Sequence, residues 1–353
     1  MMDIIAYHLS FRSPLHIGER GVGLEATQSY IPADTLFSAI CMAWIELYGV
    51  SALQQDLLDW YVDGDRGGEP ILLSSAFPFA NSIRFLPKPF NQPSNLSIKD
   101  NDRKKFKKVR YLSETVFKSF ISDNILQFDS HECLNKGGLW ASEEEIRELM
   151  TLTDDKTEDI ILWETALVPH VTLDKITYAS EIWHYGEIHF VKGAGLWFAV
   201  MFNPDHGEIV KKRFDACMRL LGDTGIGGKR NSGHGLFEVM KREDLTLPVN
   251  INSDHFVTLS PICPSDEDEL RIITEGSVYY DLTPRRGWVS SLHANNLRRK
   301  TVWMFAEGSV LHAGDESPKG SLADVTPNGT ICPHPVWRYG YAFPVEVKLN
   351  DKN

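Results

Sequence analysis

The sequence predicts an α+β fold, because strand-like apolar runs alternate with two helix-like segments along its first 246 residues. Residues 35–48 are apolar nearly all round, which is typical of a buried helix. Residues 209–221 repeat apolar side chains at helical spacing, with lysines and arginines between them. A chain of 353 residues with 42% hydrophobic and 24% charged residues is also long and apolar enough to build more than one domain.

The first predicted elements are a strand, a glycine-bearing loop and the first helix. The strand is predicted at 4–11, where most side chains are apolar, and it ends before a Ser-Pro pair. Asp34 stands directly before the helix and is a predicted N-cap, and Gly49 stands where a helix commonly ends. A second strand is predicted from the apolar residues at 71–79.

Two antiparallel strands are predicted next, between residues 170 and 202. Apolar, aromatic and β-branched side chains dominate 170–174, 188–190 and 196–202. Gly193 and Gly195 mark the expected hairpin turn, since short hairpin loops favour glycine. These strands precede the second helix.

The second helix is predicted to end at Gly222, and the final strand begins just after a glycine-rich loop. The resulting order, strand, helix, strand, strand, helix, strand, is that of the ferredoxin-like unit, which RRM domains share. We therefore expect a ferredoxin-like module at 1–80 and 168–246. Residues 247–353 hold fewer strand-like runs and predict a second, degenerate module of the same kind.

Residues 81–167 interrupt the first module and show little periodicity. Residues 84–118 contain ten basic and three acidic side chains, and residues 142–159 reverse the sign with eight acidic and two basic ones. Such charge runs predict a large insertion that is mobile or ordered by a partner. A solvated surface loop is the alternative interpretation.

Overall charge and cysteine usage limit the class of protein. The net charge of −12 excludes nucleic-acid binding through a uniformly basic surface, so a phosphate or RNA site has to be local. The five cysteines are scattered and form no CxxC pair, which argues against a disulfide framework and a zinc site. The N-terminus has no apolar run typical of a secretion signal, so we expect a cytoplasmic protein without a membrane span.

The most informative motif is the glycine-rich loop at 222–235, which has six glycines in fourteen residues. Such a loop can aim backbone N–H groups at a phosphate, and Lys229 and Arg230 add positive charge. It is not a Walker A loop, because Asp223 occupies the place of the first glycine. A GxGxxA match at 21–26 lacks a strand directly before it and does not indicate a dinucleotide site.

Several segments together carry a family resemblance. They are residues 14–18, residues 32–39, the run His-Val-Thr-Leu-Asp at 170–174, the block Gly-Gly-Lys-Arg-Asn-Ser-Gly-His-Gly within 225–235, and, towards the C-terminus, 285–287 and 303–309. In this order they resemble the RAMP superfamily of CRISPR proteins. The sequence is most similar there to the fourth-subunit family of type III-A Csm effector complexes.

That resemblance implies a non-catalytic RNA-binding subunit of a CRISPR interference complex in antiviral defence. Members hold the 5′ handle of the CRISPR RNA, dock the large polymerase-like Csm subunit and meet a neighbouring backbone RAMP subunit. They also insert a thumb into the duplex of guide and target RNA, and residues 81–167 occupy the place where a thumb-like insertion belongs. The equivalent subunit of a type III-B Cmr complex is an alternative.

The predicted RNA-binding residues lie in or beside the matching segments. They are His16, Gly18, Arg20, His170, Gly225, Gly227, Gly228, Lys229, Arg230, Asn231, Ser232, Gly233, His234, Gly235, Arg285 and Arg286. We expect no catalytic residue, no cofactor and no metal. Aromatic side chains at 183, 185, 190, 197 and 198 are more typical of a core than of base stacking.

A metal-independent endoribonuclease is the competing hypothesis, because some RAMP proteins cleave repeat RNA with a histidine. His16, His170 and His234 lie near the segments expected to approach RNA, and an ordinary histidine pKa suits proton transfer. Cleavage requires two groups that converge on one phosphate, and the sequence does not show such convergence.

Overall fold

The computed structural model describes residues 3–18, 24–62, 68–94, 96–122, 124–150, 159–174, 176, 180–249, 253–289, 297–314, 320–328 and 332–349. Its architecture is mixed α+β, as the sequence predicts. Within the described ranges, no helix is long and apolar enough to cross a membrane.

The strands, in chain order, are β1 (Asp3–Phe11), β2 (Ile71–Leu73), β3 (Phe77–Ala80), β4 (Ile83–Pro87), β5 (Leu96–Ile98), β6 (Tyr111–Ser113), β7 (Leu126–Phe128), β8 (Cys133–Leu134), β9 (Leu139–Trp140), β10 (Trp163–Leu173), β11 (Ser180–Phe190), β12 (Ala194–Phe202), β13 (Phe237–Asp244), β14 (His255–Thr258), β15 (Leu282–Arg285), β16 (Val302–Phe305), β17 (Val310–His312), β18 (Gly320–Asp324), β19 (Trp337–Tyr341) and β20 (Pro344–Val347). The α-helices are α1 (Ala33–Tyr48), α2 (Val50–Leu53), α3 (Asp59–Val62), α4 (Arg103–Lys108), α5 (Glu114–Ile121), α6 (Glu143–Leu149), α7 (Gly207–Thr224) and α8 (Glu267–Ile273).

A central antiparallel sheet organises the molecule. Its order begins β13-β1-β12, and β2 and β3 both pair with the other edge of β12. Every described side chain of β12 is buried, because alternate residues face two different cores. Phe198 packs with α1 and α7 on one face, and Trp197 packs on the other face with the residues that follow β3.

The predicted strand at 4–11, both helices and the strand after the glycine-rich loop are confirmed, with three corrections. The run at 71–79 forms two short strands, because between them the N–H groups of Ser75 and Ala76 donate to Leu259 O and Ile31 O and not to β12. The N-cap of α1 is Pro32, and Asp34 lies buried within the first turn. Helix α7 continues past Gly222, where a Cβ would lie 2.6 Å from the carbonyl oxygen of Phe237, so glycine permits close packing there.

The predicted hairpin around Gly193 is wrong. Strand β10 pairs with β11, the next strand along the chain, and Gly193 instead leads from β11 into the central sheet. The neighbours of β12 come from distant parts of the chain, which local periodicity does not indicate.

The prediction that residues 81–167 are mobile or ordered by a partner does not fit the described residues, which pack into a core. Strands β4, β6, β9 and β8 extend the central sheet, and helices α4 and α5 pack against them. Phe117, Phe128 and Trp140 are fully buried there. The strands have two to five residues and the helices six to eight, too short for a readable period.

The C-terminal residues form small antiparallel sheets and the helix α8. Strand β14 lies between β17 and β20, while β15 pairs with β16 and β18 with β19. Residues 277–281 contribute a single isolated bridge, between Tyr279 and Val310. Two tyrosines tie this part to the N-terminal half: the hydroxyl of Tyr339 accepts the N–H of Leu73 at 2.9 Å, and that of Tyr341 donates to Tyr61 O at 3.0 Å.

Asp34 provides a second link between the two halves. Its carboxylate accepts hydrogen bonds from Arg285 at 2.6 and 3.0 Å and pairs with Arg338, and all three side chains are buried. Burial alone would raise the pKa of Asp34, but the two guanidinium groups outweigh it and lower that pKa to about 2. The carboxylate therefore stays charged, and its pairing stabilises the fold above about pH 4 and is lost as the pH falls towards 2.

We predict that Asp34→Asn lowers the free energy of unfolding by about 3–5 kcal/mol at pH 7, because two buried guanidinium groups then lack their anion. Urea denaturation followed by circular dichroism measures the change. The matched control is Asp223→Asn, because Asp223 pairs with Arg12 at an exposed site, where we expect less than about 1 kcal/mol. Equal effects of the two substitutions would contradict this role of Asp34.

Candidate RNA-binding site

The glycine-rich loop after α7 folds back on the segment that follows β1. The N–H of Gly235 donates to Pro14 O at 2.8 Å, and the N–H of Gly228 donates to His16 O at 2.9 Å. Within the loop, the N–H of Ile226 donates to Gly235 O at 3.0 Å. The loop is therefore a closed, hydrogen-bonded structure.

Most glycines of this loop are required by the protein's own packing. A Cβ on Gly227 would lie 2.4 Å from His16 O, and a Cβ on Gly235 would lie 2.0 Å from Ile226 O. Gly228 faces the ring of His16 and the hydroxyl of Tyr185, each 2.8 Å from a Cβ at that position. At these positions the space predicted for a phosphate is filled by protein, whereas Gly233 faces open space with φ of +78°.

The exposed end of the loop is polar and positive. Lys229 adopts a left-handed conformation with φ of +53°, and a 3₁₀ turn follows at Arg230–Ser232. The side chains of Arg230, Asn231 and Ser232 are exposed. The loop therefore presents hydrogen-bond donors to solvent at one place.

The ammonium group of Lys229 lies against two aromatic rings of β11. Its Nζ is 4.1 Å from the ring centroid of Trp183 and 4.1 Å from that of Tyr185, which is cation–π geometry. It also lies 3.1 Å from Nε2 of His170, and the ring of His170 stacks on Trp183 at 4.7 Å. Loss of solvent lowers the pKa of Lys229, and the negative charge of Glu187 opposes that effect.

His16 forms the floor of this cluster. Its Nδ1 lies 2.8 Å from the carbonyl oxygen of Gly186, which can only accept, so Nδ1 carries the proton. Its ring stacks on Tyr185 with centroids 4.2 Å apart. Burial lowers the pKa of His16, which favours the neutral ring.

Glu187 anchors the other side of the cluster. Its two carboxylate oxygens lie 2.9 Å from Nε2 of His234 and 3.1 Å from Nε2 of His189. Burial would raise the pKa of Glu187, but these histidines outweigh it and the pKa is lowered. The hydroxyl of Tyr185 is buried and makes no hydrogen bond to the residues described, and burial raises its pKa, so it is a neutral phenol.

The structure brings together His16, His170, His234 and the loop at 225–235, all of which are among the predicted RNA-binding residues. Other predicted residues lie elsewhere. Gly18 is exposed and bridges Thr27 through its backbone, and Arg20 lies outside the described residues. Arg285 is buried against Asp34, and Arg286 is exposed directly after β15, so neither belongs to this cluster.

Sequence reasoning missed the contribution of strand β11. Trp183, Tyr185 and Glu187 are alternate residues of one strand and so project to the same face. Their spacing of two residues could have indicated from the sequence that they share one face of the strand. The aromatic residues at 185, 197 and 198 are buried, as predicted, and those at 183 and 190 are partly buried. Among the described residues, no group of three or more His, Cys, Asp or Glu side chains is placed to hold a metal ion.

We predict that His16→Phe makes the free energy of unfolding less dependent on pH between pH 5 and 7. The unfolded chain gains a proton near pH 6.5 while folded His16 resists it, so its contribution is complete above that pH and declines below it. Urea denaturation at four pH values measures the slope. Some slope remains, because burial also lowers the pKa of His8, to about 4.

The control for this prediction is His131→Phe, at an exposed position. It should leave the slope unchanged. A slope identical in the wild-type protein and His16→Phe would show that His16 does not resist protonation.

Comparisons with known proteins agree with these features. Residues 251–347 match the CRISPR Csm4 C-terminal domain. The "CRISPR system Cms protein Csm4" of Thermococcus onnurineus (strain NA1) is 29% identical over 331 residues, which cover 90% of this chain and 91% of that protein. The protein of the same name from Methanocaldococcus jannaschii is 24% identical over 356 residues, with coverage of 92% and 89%.

Solved structures share the fold over nearly the whole chain. The Csm3-Csm4 subcomplex of a type III-A CRISPR-Cas interference complex contains a chain that matches with a TM-score of 0.67 and 21% identity, covering 98% of this chain and 99% of that one. A chain of the Csm1-Csm4 cassette in complex with cA4 matches with a TM-score of 0.58 and 22% identity, covering 99% and 100%. The predicted resemblance is confirmed: the chain is similar to Csm4 proteins over 90% of its length, and its residues 251–347 match the Csm4 C-terminal domain.

Proposed function

We propose that this chain is a non-catalytic RNA-binding subunit of a type III-A CRISPR interference complex, where it holds the 5′ handle of the CRISPR RNA. One observation carries the proposal: the Lys229 ammonium lies against the rings of Trp183 and Tyr185, beside an exposed turn at Arg230–Ser232. Cationic groups next to aromatic faces bind single-stranded RNA through its phosphates and its bases.

The closed loop supports this role, because a preorganised site loses less conformational entropy on binding than a flexible one. The hydrogen bonds to Pro14 and His16 fix the loop before RNA arrives. The exposed side chains of Asn231 and Ser232 are additional polar groups for a ribose or a base edge.

We propose two protein partners in the assembly: the large polymerase-like subunit and a neighbouring backbone RAMP subunit. Structurally similar chains occur in the Csm1-Csm4 cassette and in the Csm3-Csm4 subcomplex, which supports both. The cytoplasm is the proposed location, in keeping with five cysteines that are all free thiols.

We also propose that the N-terminal part is a ferredoxin-like module at 1–80 and 168–246. The sheet order β13-β1-β12 followed by β2 and β3, all antiparallel, with α1 and α7 on one face, supports it. For residues 247–353 we propose a degenerate second module, supported by the order β17-β14-β20 and by α8. The boundary of the 81–167 insertion falls inside β10, so the insertion ends before that strand.

The β10-β11 hairpin is our candidate for the part of the thumb that enters the duplex of guide and target RNA. One face carries His170, Trp183 and Tyr185, and the other carries Val171 and Ile182, which are exposed. The described residues towards the tip of this hairpin are exposed on both faces. The face with Val171 and Ile182 is apolar, and inserted apolar side chains can separate stacked bases. The insertion at 81–167 has a packed core, and we propose that it supports this hairpin.

We predict that Lys229→Ala combined with Arg230→Ala weakens binding of a repeat-derived 5′ handle RNA. The slope of log binding constant against log salt should become shallower by about 1.4, about 0.7 for each lost contact with a single-stranded phosphate. Fluorescence anisotropy at several salt concentrations measures it. The charge-matched control is Lys212→Ala with Arg219→Ala, which removes two exposed charges from α7. An unchanged slope in the loop variant would refute the site.

The endoribonuclease remains a second candidate because the structure supplies a convergence that the sequence did not show. The rings of His16, His170 and His234 lie 4.2, 6.1 and 5.7 Å from that of Tyr185. However, His16 is buried and its Nδ1–H is committed to Gly186, while His234 is bound by Glu187. These commitments favour binding over proton transfer.

We predict that the isolated chain does not cleave labelled repeat RNA in EDTA between pH 5 and 8. Single substitutions His16→Ala, His170→Ala and His234→Ala should change RNA affinity and leave the RNA intact, because the histidines contribute contacts and not a proton-transfer step. Gel analysis provides the readout. One discrete product, abolished by one of these substitutions, would establish the nuclease instead.

A further inference from the structure

A second group of exposed aromatic side chains lies in the C-terminal part of the chain. We name it the C-terminal aromatic surface, and its residues are Tyr280, Leu282, Trp288 and Trp303, with exposed fractions of 46, 42, 47 and 57%. Tryptophan is seldom this exposed in a folded domain, and a group of such side chains marks an interaction surface.

The β15-β16 ribbon holds these side chains together. Leu282 is opposite Phe305, and Pro284 is opposite Trp303, so all four residues share one face of the ribbon. Tyr280 extends this face, because its ring meets Phe305 edge-on with centroids 5.0 Å apart. Phe305 itself is buried, so the ring of Tyr280 rests on a packed side chain.

The ribbon continues beyond its strands to Trp288. A backbone bridge joins Trp288 to Arg298, and the guanidinium of Arg298 lies 5.0 Å from the centre of the Trp288 ring. The N–H of Arg299 also donates to Gly287 O at 3.0 Å. Trp288 thus presents its ring on an ordered, hydrogen-bonded backbone.

The charge of this region is opposite to that of the whole chain. Residues 282–306 contain five basic and no acidic side chains, in a chain with a net charge of −12. Arg285 is neutralised by Asp34, but Arg286 and Arg298 are exposed, and Arg298 lies against the ring of Trp288. Two acidic residues adjoin this range: Asp281 accepts the N–H of Leu282 at 2.9 Å, and Glu307 accepts a hydrogen bond from the hydroxyl of Ser75.

We propose that the C-terminal aromatic surface is a stacking platform for single-stranded nucleic acid, separate from the loop site. Exposed tryptophan and tyrosine rings take unpaired bases on their faces, and interleaved arginines contact the phosphates between them. The positive charge of this surface favours a polyanion over an apolar protein segment as its ligand. Burial of exposed arginines under an apolar segment is costly, whereas the same arginines stabilise a phosphate backbone. RNA and DNA share this chemistry, and the 2′-hydroxyl distinguishes them only at sites that contact it.

The test measures binding of fluorescein-labelled U12 RNA and dT12 DNA to the full chain that carries Lys229→Ala and Arg230→Ala, so that the loop site is silent. Adding Trp303→Leu or Trp288→Leu should weaken the remaining affinity about fivefold or more. Trp303→Phe should retain most of it, because a phenyl ring still stacks. Arg298→Ala should make the salt slope shallower by about 0.7.

The matched control is Tyr48→Leu, since Tyr48 is also exposed with an arginine over its ring, but there Arg213 is already paired with Asp56. Tyr48→Leu should not change the affinity, and thermal unfolding checks that each variant is folded. Tighter binding of RNA than of DNA would identify RNA as the ligand, and equal binding would leave both within the proposal. The proposal fails if Trp303→Leu and Trp288→Leu leave the affinities for RNA and for DNA unchanged. If these variants also lose a protein subunit from the purified complex, the surface is a protein interface instead.

The two sites are tested independently. If Lys229→Ala with Arg230→Ala leaves handle binding intact while Trp303→Leu weakens it, the loop assignment fails and the C-terminal platform stands. The reverse result would retain the loop site and remove the platform.

Discussion

Asp34 is a buried charge, and a protein interior tolerates a buried charge only when opposite charges accompany it. Those charges come from Arg285 and Arg338, which lie 251 and 304 residues away along the chain. The first turn of α1 can therefore pack only when β15 and β19 have taken their places. Because α1 also packs on one face of the central sheet, the ion pair of Asp34 joins the N-terminal and C-terminal parts of the chain. The loop site lies in the first part and the C-terminal aromatic surface in the second.

The loop site depends on a different physical limit, namely the close approach of two backbones. Gly227 and Gly228 lie against His16 with no room for a side chain, and that contact brings Lys229 over the rings of β11. The glycines therefore act by packing, and the positive and polar side chains between them meet the solvent. A rigid loop of this kind binds at low entropic cost, which suits a subunit that retains its RNA and does not turn it over.

An acidic protein can bind RNA when its basic groups are gathered locally, because the Debye length at physiological salt is about 8 Å and distant charges are screened. In this chain lysine or arginine lies against an exposed or partly exposed tryptophan ring around Lys229 and around Arg298. Residues 84–118 are also basic, so the excess of aspartate and glutamate lies in other parts of the chain. Those acidic parts repel RNA and are suited to contacts with other subunits.

The α+β class, helices α1 and α7, the strand on either side of them and the glycine-rich loop could be predicted from the residues alone, because each depends on local periodicity or on local backbone freedom. The partners of these elements depend on the tertiary structure. Asp34, a predicted cap, lies in a buried ion pair, residues 81–149 have a core assembled from elements too short to show a period, and the hairpin predicted around Gly193 is instead formed by β10 and β11. The tertiary structure also brings Trp183 and Tyr185 under Lys229, a contact between residues more than 40 positions apart. Non-local pairings of this kind are fixed by shape, charge and burial in three dimensions, and no spacing along the chain encodes them.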